Sequence, residues 1–315
     1  MSNYTPAVDM HAHFLPESYL KLLEKYNIQK PDDYPIPYWS EQEQMESMEE
    51  MGIAFALINT GSPHVSVGSP EDAAACAREI NLAGAALVAK YPDRLALAGT
   101  LPLPDVEQSL KEVRFCIEEL GVKGFGWPSH ARGVYLGDPA LDPILAEIDR
   151  HGLTITMHPT TPAAVPEGSC RKLPIPVIEF FFDSTRVMMN LFLNRTLHKF
   201  PNIKFVIPHA GACMPLITER VQGVVDLPDT PFPEVDVLGD LRKLYFDVMG
   251  VCEDKRLKAL LEIADEDHIL YGSDNPHAPI HVRHRSRTYL EQTPLITDSQ
   301  RQKILYENAN RILLR

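Results

Sequence analysis

The chain is poor in everything that would staple, anchor or charge it for a large polyanion. Its five cysteines, Cys76, Cys116, Cys170, Cys213 and Cys252, are scattered, odd in number and free of any Cys-x-x-Cys pair. A disulfide framework and a cysteine-based zinc ribbon are therefore excluded, and reduced thiols in a cytoplasmic protein are expected. No apolar run approaches the ~18 residues of a membrane span, and Met1 to Pro6 is polar and uncharged, so neither an anchor nor a signal peptide is expected. Thirty Lys and Arg face 43 Asp and Glu, a formal charge of −13. That balance argues against a nucleic-acid partner. The densest basic stretch, His281 to Arg287, is short and reads as a solvated face.

What the chain does have is an alternation of short apolar runs with helical patterns. Strands are predicted at Ala7–His13, Ala54–Thr60, Leu95–Leu101, Val122–Phe125, Leu153–His158, Ile203–His209, Leu244–Val248 and Ile269–Ser273. Helices are predicted between them at 40–51, 71–91, 105–120, 139–151, 177–199, 214–224 and 253–263, and a last one at 298–314. Ser40 reads as the N-cap of the first of these, with Met45, Met48 and Met51 as its core stripe. Repeated βα units imply a parallel sheet, and eight of them imply a closed α/β (β/α)8 TIM barrel. Its 315 residues form one domain, with loop insertions at about 27–39 and 160–176. Both insertions are rich in proline, so neither forms a regular helix, and each is a candidate pocket wall or subunit contact.

Ionisable residues end several of these strands. His11-Ala12-His13 closes the first, and two histidines one residue apart on a strand face the same way. His158 ends the fifth strand, His209 the sixth, and Asp274 follows the eighth. In a (β/α)8 barrel the C-terminal strand ends converge on one rim, which brings all five residues to one mouth. Such a set suits a metal ion. Cys213, four residues after His209, reads as a packed residue rather than a second nucleophile.

The residues that carry chemistry also carry a resemblance. Asp9-Met10-His11-Ala12-His13-Phe14, Met157-His158-Pro159, Pro208-His209-Ala210-Gly211-Ala212 and Gly272-Ser273-Asp274 resemble, in that order, the amidohydrolase superfamily. More narrowly the chain is similar to the metal-dependent non-oxidative decarboxylases typified by aminocarboxymuconate semialdehyde decarboxylase. Thr60-Gly61-Ser62-Pro63 and Phe182-Asp183-Ser184-Thr185-Arg186 resemble the 6-methylsalicylate decarboxylases within that group. The resemblance implies a single divalent ion, zinc first and manganese second, held by His11, His13, His158 and Asp274. It implies decarboxylation of an aromatic or unsaturated carboxylate such as a 2-hydroxybenzoate, with a metal-dependent lactone or amide hydrolase as the alternative. His209 is the expected acid/base, with Asp274 the other proton donor. Arg220 resembles an arginine that binds the substrate carboxylate, in some relatives from a neighbouring subunit, so a homodimer or higher oligomer is expected. One departure stands out: Asn275-Pro276-His277 replaces the usual Tyr-Pro-Phe and implies a more polar pocket wall. Lys123, on the fourth strand, occupies the place of a metal-bridging carboxylated lysine in hydrolytic relatives but reads here as structural.

Overall fold

The β-branched and leucine-rich runs pair as a parallel sheet because each is followed by a helix that returns the chain to the same edge. The computed structural model describes residues 4–166, 168 and 172–313. Cys170, Leu314 and the first three residues of the polar start fall outside them. The strands are β1 Ala7–His13, β2 Ile53–Asn59, β3 Leu95–Thr100, β4 Gly124–Pro128, β5 Thr154–His158, β6 Lys204–Ile207, β7 Tyr245–Asp247 and β8 Ile269–Leu270. Each pairs in parallel with the next, in sequence order. Past the end of β8 the backbone continues along β1 and closes the ring. Met10 N–H donates to Tyr271 O at 2.9 Å, Asp274 N–H to His11 O at 2.7 Å and His13 N–H to Asn275 O at 2.7 Å. No helix among the described residues is long and apolar enough to cross a membrane.

A bulge in β1 decides what the barrel mouth contains. Asp9 lies opposite Ala56 of β2 and Ala12 opposite Ile58, so three steps on β1 match two on β2. Before the bulge, Val8 and Met10 pack in one cluster with Leu57, Ala96, Ala98, Val206 and Leu270 from other strands. After it, Ala12 packs instead in the layer between sheet and helices, with Phe14 and Leu15. The extra residue inverts the alternation and turns His11 and His13 inward. Asp9, itself buried, accepts the bulged His11 N–H and the Ser273 N–H, both at 3.0 Å, and so ties the bulge to the β8 exit. Ala309 and Leu313 of the last helix join the inner cluster.

Where structure and expectation differ, local chemistry explains it. The fourth strand starts two residues later than Val122, because Gly124 is the residue that lies against β5, where a Cβ would meet Thr154 O at 2.4 Å. The expected helix 177–199 is broken: Glu179–Leu193 stops at Asn194, Arg195 takes a left-handed conformation (φ 56°), and a single turn follows at Thr196–Lys199. The terminal helix is divided by a π segment at Lys303–Glu307. Helices Glu17–Lys25, Val237–Leu241 and Ile280–Gln292 were not expected. Ser40 caps its helix as expected, accepting Glu43 N–H at 3.1 Å.

The basic stretch is the clearest correction. It is a solvated face only in part: His281 and Arg285 are exposed, whereas Arg287 is fully buried, donates to Thr5 O, pairs with Glu291 at 3.2 Å and lies 5.0 Å from the centre of the Tyr271 ring. Arg283 is half-buried and donates to Asn275 Oδ1 at 2.8 Å. The helix Ile280–Gln292 thus uses cations to hold the start of the chain and the β8 exit. Arg287→Ala should lower the free energy of unfolding by about 3 kcal/mol in a urea titration, since it removes a buried charge partner and opens a void. An unchanged midpoint would show that Arg287 holds nothing that the rest of the helix does not.

Candidate active site

Four of the strand-end residues meet at one point. One ligand atom from each of His11, His13, His158 and Asp274 lies within 4.8 Å of all the others. His11 and His13 come from the inverted end of β1, His158 from the last position of β5. Asp274 follows β8 in a left-handed conformation (φ 58°), held by its own N–H on His11 O. Gly272 is what allows β8 to pass so close, since a Cβ there would stand 2.7 Å from that of His11.

The orientation of each imidazole is set from behind. His11 Nδ1 donates to Asp247 at 2.8 Å, His13 Nδ1 to Asn59 at 2.8 Å and His158 Nδ1 to the Pro159 carbonyl at 2.7 Å. A proton on each Nδ1 leaves a lone pair on each Nε2. Those lone pairs converge: Asp274 Oδ1 lies 3.2 Å from His13 Nε2 and 3.6 Å from His11 Nε2. His11 Nε2, His13 Nε2 and Asp274 Oδ1 are buried and make no hydrogen bond. Acceptors facing acceptors out of water are costly, and a divalent cation among them removes the cost. The residues therefore fit a divalent metal ion. Burial raises the Asp274 carboxyl, but His13 and His11 beside it more than offset that and leave its pKa at about 2. It is anionic at neutral pH, as a ligand of a divalent cation would have to be.

Asp247 has the widest reach of any residue here, and it was absent from the expected site. Besides His11 it accepts the N–H groups of His209 and Met249, both at 3.1 Å, while buried at the end of β7. Its signal was in the sequence, a carboxylate closing the apolar run Leu244–Phe246. Asn59 gave a similar, weaker signal at the end of β2. It also donates to Thr156 at 3.1 Å, which fixes the face it shows to His13.

His209 sits beside the cluster, its ring centre 5.9 Å from that of His11. Residues 209–212 all have positive φ, three of them not glycine. Arg256 donates to His209 O at 2.5 Å and lies over Phe181, and Phe181 stacks on the His209 ring at 5.4 Å. Burial, then the charge of His11, pulls the His209 pKa down to about 4, so its imidazole is neutral at pH 7. Its Nδ1 has no hydrogen-bond partner among the described residues.

A cavity of about 240 Å³ opens over these groups. His158, His209, Asp274 and His277 line its polar side, and Phe180, Phe181, Tyr34 and Met249 its apolar side. Both proline-rich insertions reach it, the first through Pro31 to Pro35 and the second through Pro176. His277 bears out the more polar wall, its ring 5.2 Å from that of His13. Other expected residues lie elsewhere. Arg220 is exposed on the outer helix Met214–Val225 and is not among the cavity's residues. Lys123 is exposed and precedes β4, at the opposite end of the barrel from the histidines, which supports its structural reading. Cys213 is only half-buried, less packed than expected.

The sequence profile described as Amidohydrolase matches residues 8–315, nearly the whole chain. The chain belongs to the amidohydrolase family. A solved structure described as an amidohydrolase II superposes on this amidohydrolase with a TM-score of 0.94, at 32% identity, covering 98% of this chain and all of that one. The 6-methylsalicylic acid decarboxylase of Penicillium expansum is 28% identical over 302 residues, 94% of this chain and 92% of its own length. The gamma-resorcylate decarboxylase of Rhodococcus jostii is 24% identical, covering 87% of this chain and 90% of its own. The 2,6-dihydroxybenzoate decarboxylase from Rhizobium shares the fold, with a TM-score of 0.83 at 20% identity.

If Asp247 orients His11 as the geometry indicates, Asp247→Asn should weaken divalent-metal binding by roughly 10- to 100-fold in competition with a chromogenic chelator. Unaltered affinity would mean that His11 needs no anionic support.

Proposed function

We propose that this amidohydrolase is a carboxy-lyase that removes carbon dioxide, without oxidation, from an aromatic carboxylate of the 2-hydroxybenzoate type, 6-methylsalicylate-like. The observation that carries the reading is a four-residue ligand set with its lone pairs converging beneath a cavity that suits one substituted ring. The decarboxylase relatives, aligned over most of both chains, support the same chemistry. His11, His13, His158 and Asp274 would hold one divalent ion, zinc by ligand type and manganese as the alternative. Bound there, the ion would supply positive charge to anchor the substrate's carboxylate and neighbouring hydroxyl.

The remaining work falls to the chain's own side chains. Phe180, Phe181 and Tyr34 line the wall against which the ring packs. His209, neutral at rest, takes up a proton and delivers it to the ring carbon that bears the carboxylate. That carbon becomes tetrahedral, the bond to the carboxylate breaks, and its electron pair returns to the ring as carbon dioxide leaves. Asp274, held ionised, suits ligation better than proton delivery. A lactone or amide hydrolase is the less favoured reading, because the two curated relatives named above are decarboxylases and Lys123 is exposed at the opposite end of the barrel.

Arg220 is assigned to a neighbouring subunit's cavity, which would make the active species a dimer at least. Its exposure on the outer helix leaves it free for that contact. The reduced thiols suit the cytoplasm.

Metal-loaded protein given a panel of 2-hydroxybenzoates and lactones should release carbon dioxide from the former; acid from a lactone with no carbon dioxide from any benzoate would overturn the reading. His209→Ala should keep its metal and fold yet turn over about 10²- to 10⁴-fold more slowly. Loss of the metal in that variant would make His209 a ligand instead. Mixing Arg220→Ala with His209→Ala chains should restore activity, since one site of each hybrid dimer is intact. Hybrids demonstrated to form but without activity would remove Arg220 from the site.

A further inference from the structure

The cavity contains one charged side chain that neither ligation nor proton transfer uses. Asp32, from the first insertion, lines the same space as His158, His209 and Asp274. Its backbone is left-handed (φ 56°), and so is that of Asp33 (φ 62°), conformations that disfavour both side chains and must be held by their surroundings. Asp32 Oδ1 accepts the N–H of Thr161 at 3.0 Å and its hydroxyl at 2.6 Å, which ties the two insertions together. A carboxylate has about four acceptor sites, so these two bonds leave capacity unused. Ser62, whose hydroxyl donates to Thr160 at 2.7 Å, also lines the cavity here. No lysine or arginine is among the described residues that line the cavity. Asp32 therefore presents negative charge and acceptor oxygens to whatever occupies the space, with no cation to neutralise it among the described lining residues.

We propose that Asp32 is a specificity-determining residue: it selects aromatic monocarboxylates that carry a further hydrogen-bond donor, hydroxyl or amino, on the ring, and it rejects ring dicarboxylates. The assignment rests on the decarboxylase reading of the cavity and narrows it: the preferred 2-hydroxybenzoate carries a donor on the ring where 6-methylsalicylate carries only its methyl group. A donor on the ring satisfies a carboxylate that has lost its water, whereas a methyl group in its place leaves the carboxylate unpaired. A second substrate carboxylate meets like charge in a partly desolvated space. The simpler role, a staple between the insertions, accounts for Oδ1 but not for the face turned to the cavity.

Calorimetric titration of the manganese-loaded protein separates these roles without relying on turnover. The probes are 2-hydroxy-6-methylbenzoate, the four dihydroxybenzoates with a 2-hydroxyl (2,3-, 2,4-, 2,5- and 2,6-), the corresponding amino-2-hydroxybenzoates, and 2-hydroxybenzene dicarboxylates. At least one donor-bearing ring should bind roughly 10- to 100-fold more tightly than the methyl compound, and the dicarboxylates most weakly. Asp32→Asn keeps an oxygen for Thr161 but replaces an acceptor with a donor. It should erase the preference for amino-substituted rings and tighten dicarboxylate binding by tenfold or more. Thr161→Val weakens the staple and leaves the carboxylate, so it should keep the preference. Benzoates that bind without any preference for a donor, or a preference that survives in Asp32→Asn, would overturn the proposal alone. Failure of every aromatic carboxylate to bind would overturn the decarboxylase reading and this proposal with it.

Discussion

A buried imidazole has two nitrogens, and fixing the proton on one decides what the other can do. Here the proton is fixed three times from the outside, by the Asp247 carboxylate, the Asn59 amide oxygen and the Pro159 carbonyl. Nearly everything else in the barrel mouth follows from that constraint. The acceptors come from β7, β2 and the residue after β5, so the ring must close before all three histidines are oriented. Closure in turn needs the Asp9 carboxylate, which holds the β1 bulge and the β8 exit together. Fold and site are thus joined through a few buried carboxylates rather than through the apolar core.

The two ends of the barrel divide the labour. Below the bulge, Val8, Met10, Leu57, Ala98, Val206 and Leu270 pack as an ordinary apolar interior, plugged by Ala309 and Leu313. Above it, left-handed residues gather at His209, Ala210, Ala212 and Asp274. Each of those conformations costs of order 1–3 kcal/mol, and they persist because neighbouring groups hold them. Arg256 on His209 O and the Asp274 N–H on His11 O are two such restraints.

Much of this was legible in the sequence, and the reason is periodicity. Eight apolar runs spaced by helical patterns gave the barrel, and ionisable residues at strand ends gave His11, His13, His158, His209 and Asp274. What escaped notice shares a different character. Asp247, Asn59 and Asp9 hold the histidines of the cluster rather than join it, and nothing in a single sequence distinguishes such residues from ordinary polar strand ends. Arg283 and Arg287 escaped because charge density alone reads as solvent-facing, while the helix that carries them packs against the start of the chain. The β1 bulge escaped because alternation assumes an unbroken strand. His11 and His13 still share a face because the irregularity between Asp9 and Ala12 is over by Ala12, from which the pairing runs regularly into His13.

The charge balance of the cavity is the constraint that ties the site to its substrate. A carboxylate entering from water loses hydration and must find positive charge, yet the described wall residues provide Asp32 and Asp274 and no lysine or arginine. The imidazoles of His209 and His277 do not supply it, since burial pulls the pKa of each down to about 4. A divalent ion in the cluster of His11, His13, His158 and Asp274 would supply positive charge there. This explains why a proton donor and a binding cation cannot be the same group here. A neutral imidazole can move a proton within the cavity without competing for the substrate's anionic end, and the anion is left to be held where the converging lone pairs of His11, His13 and His158 place the charge.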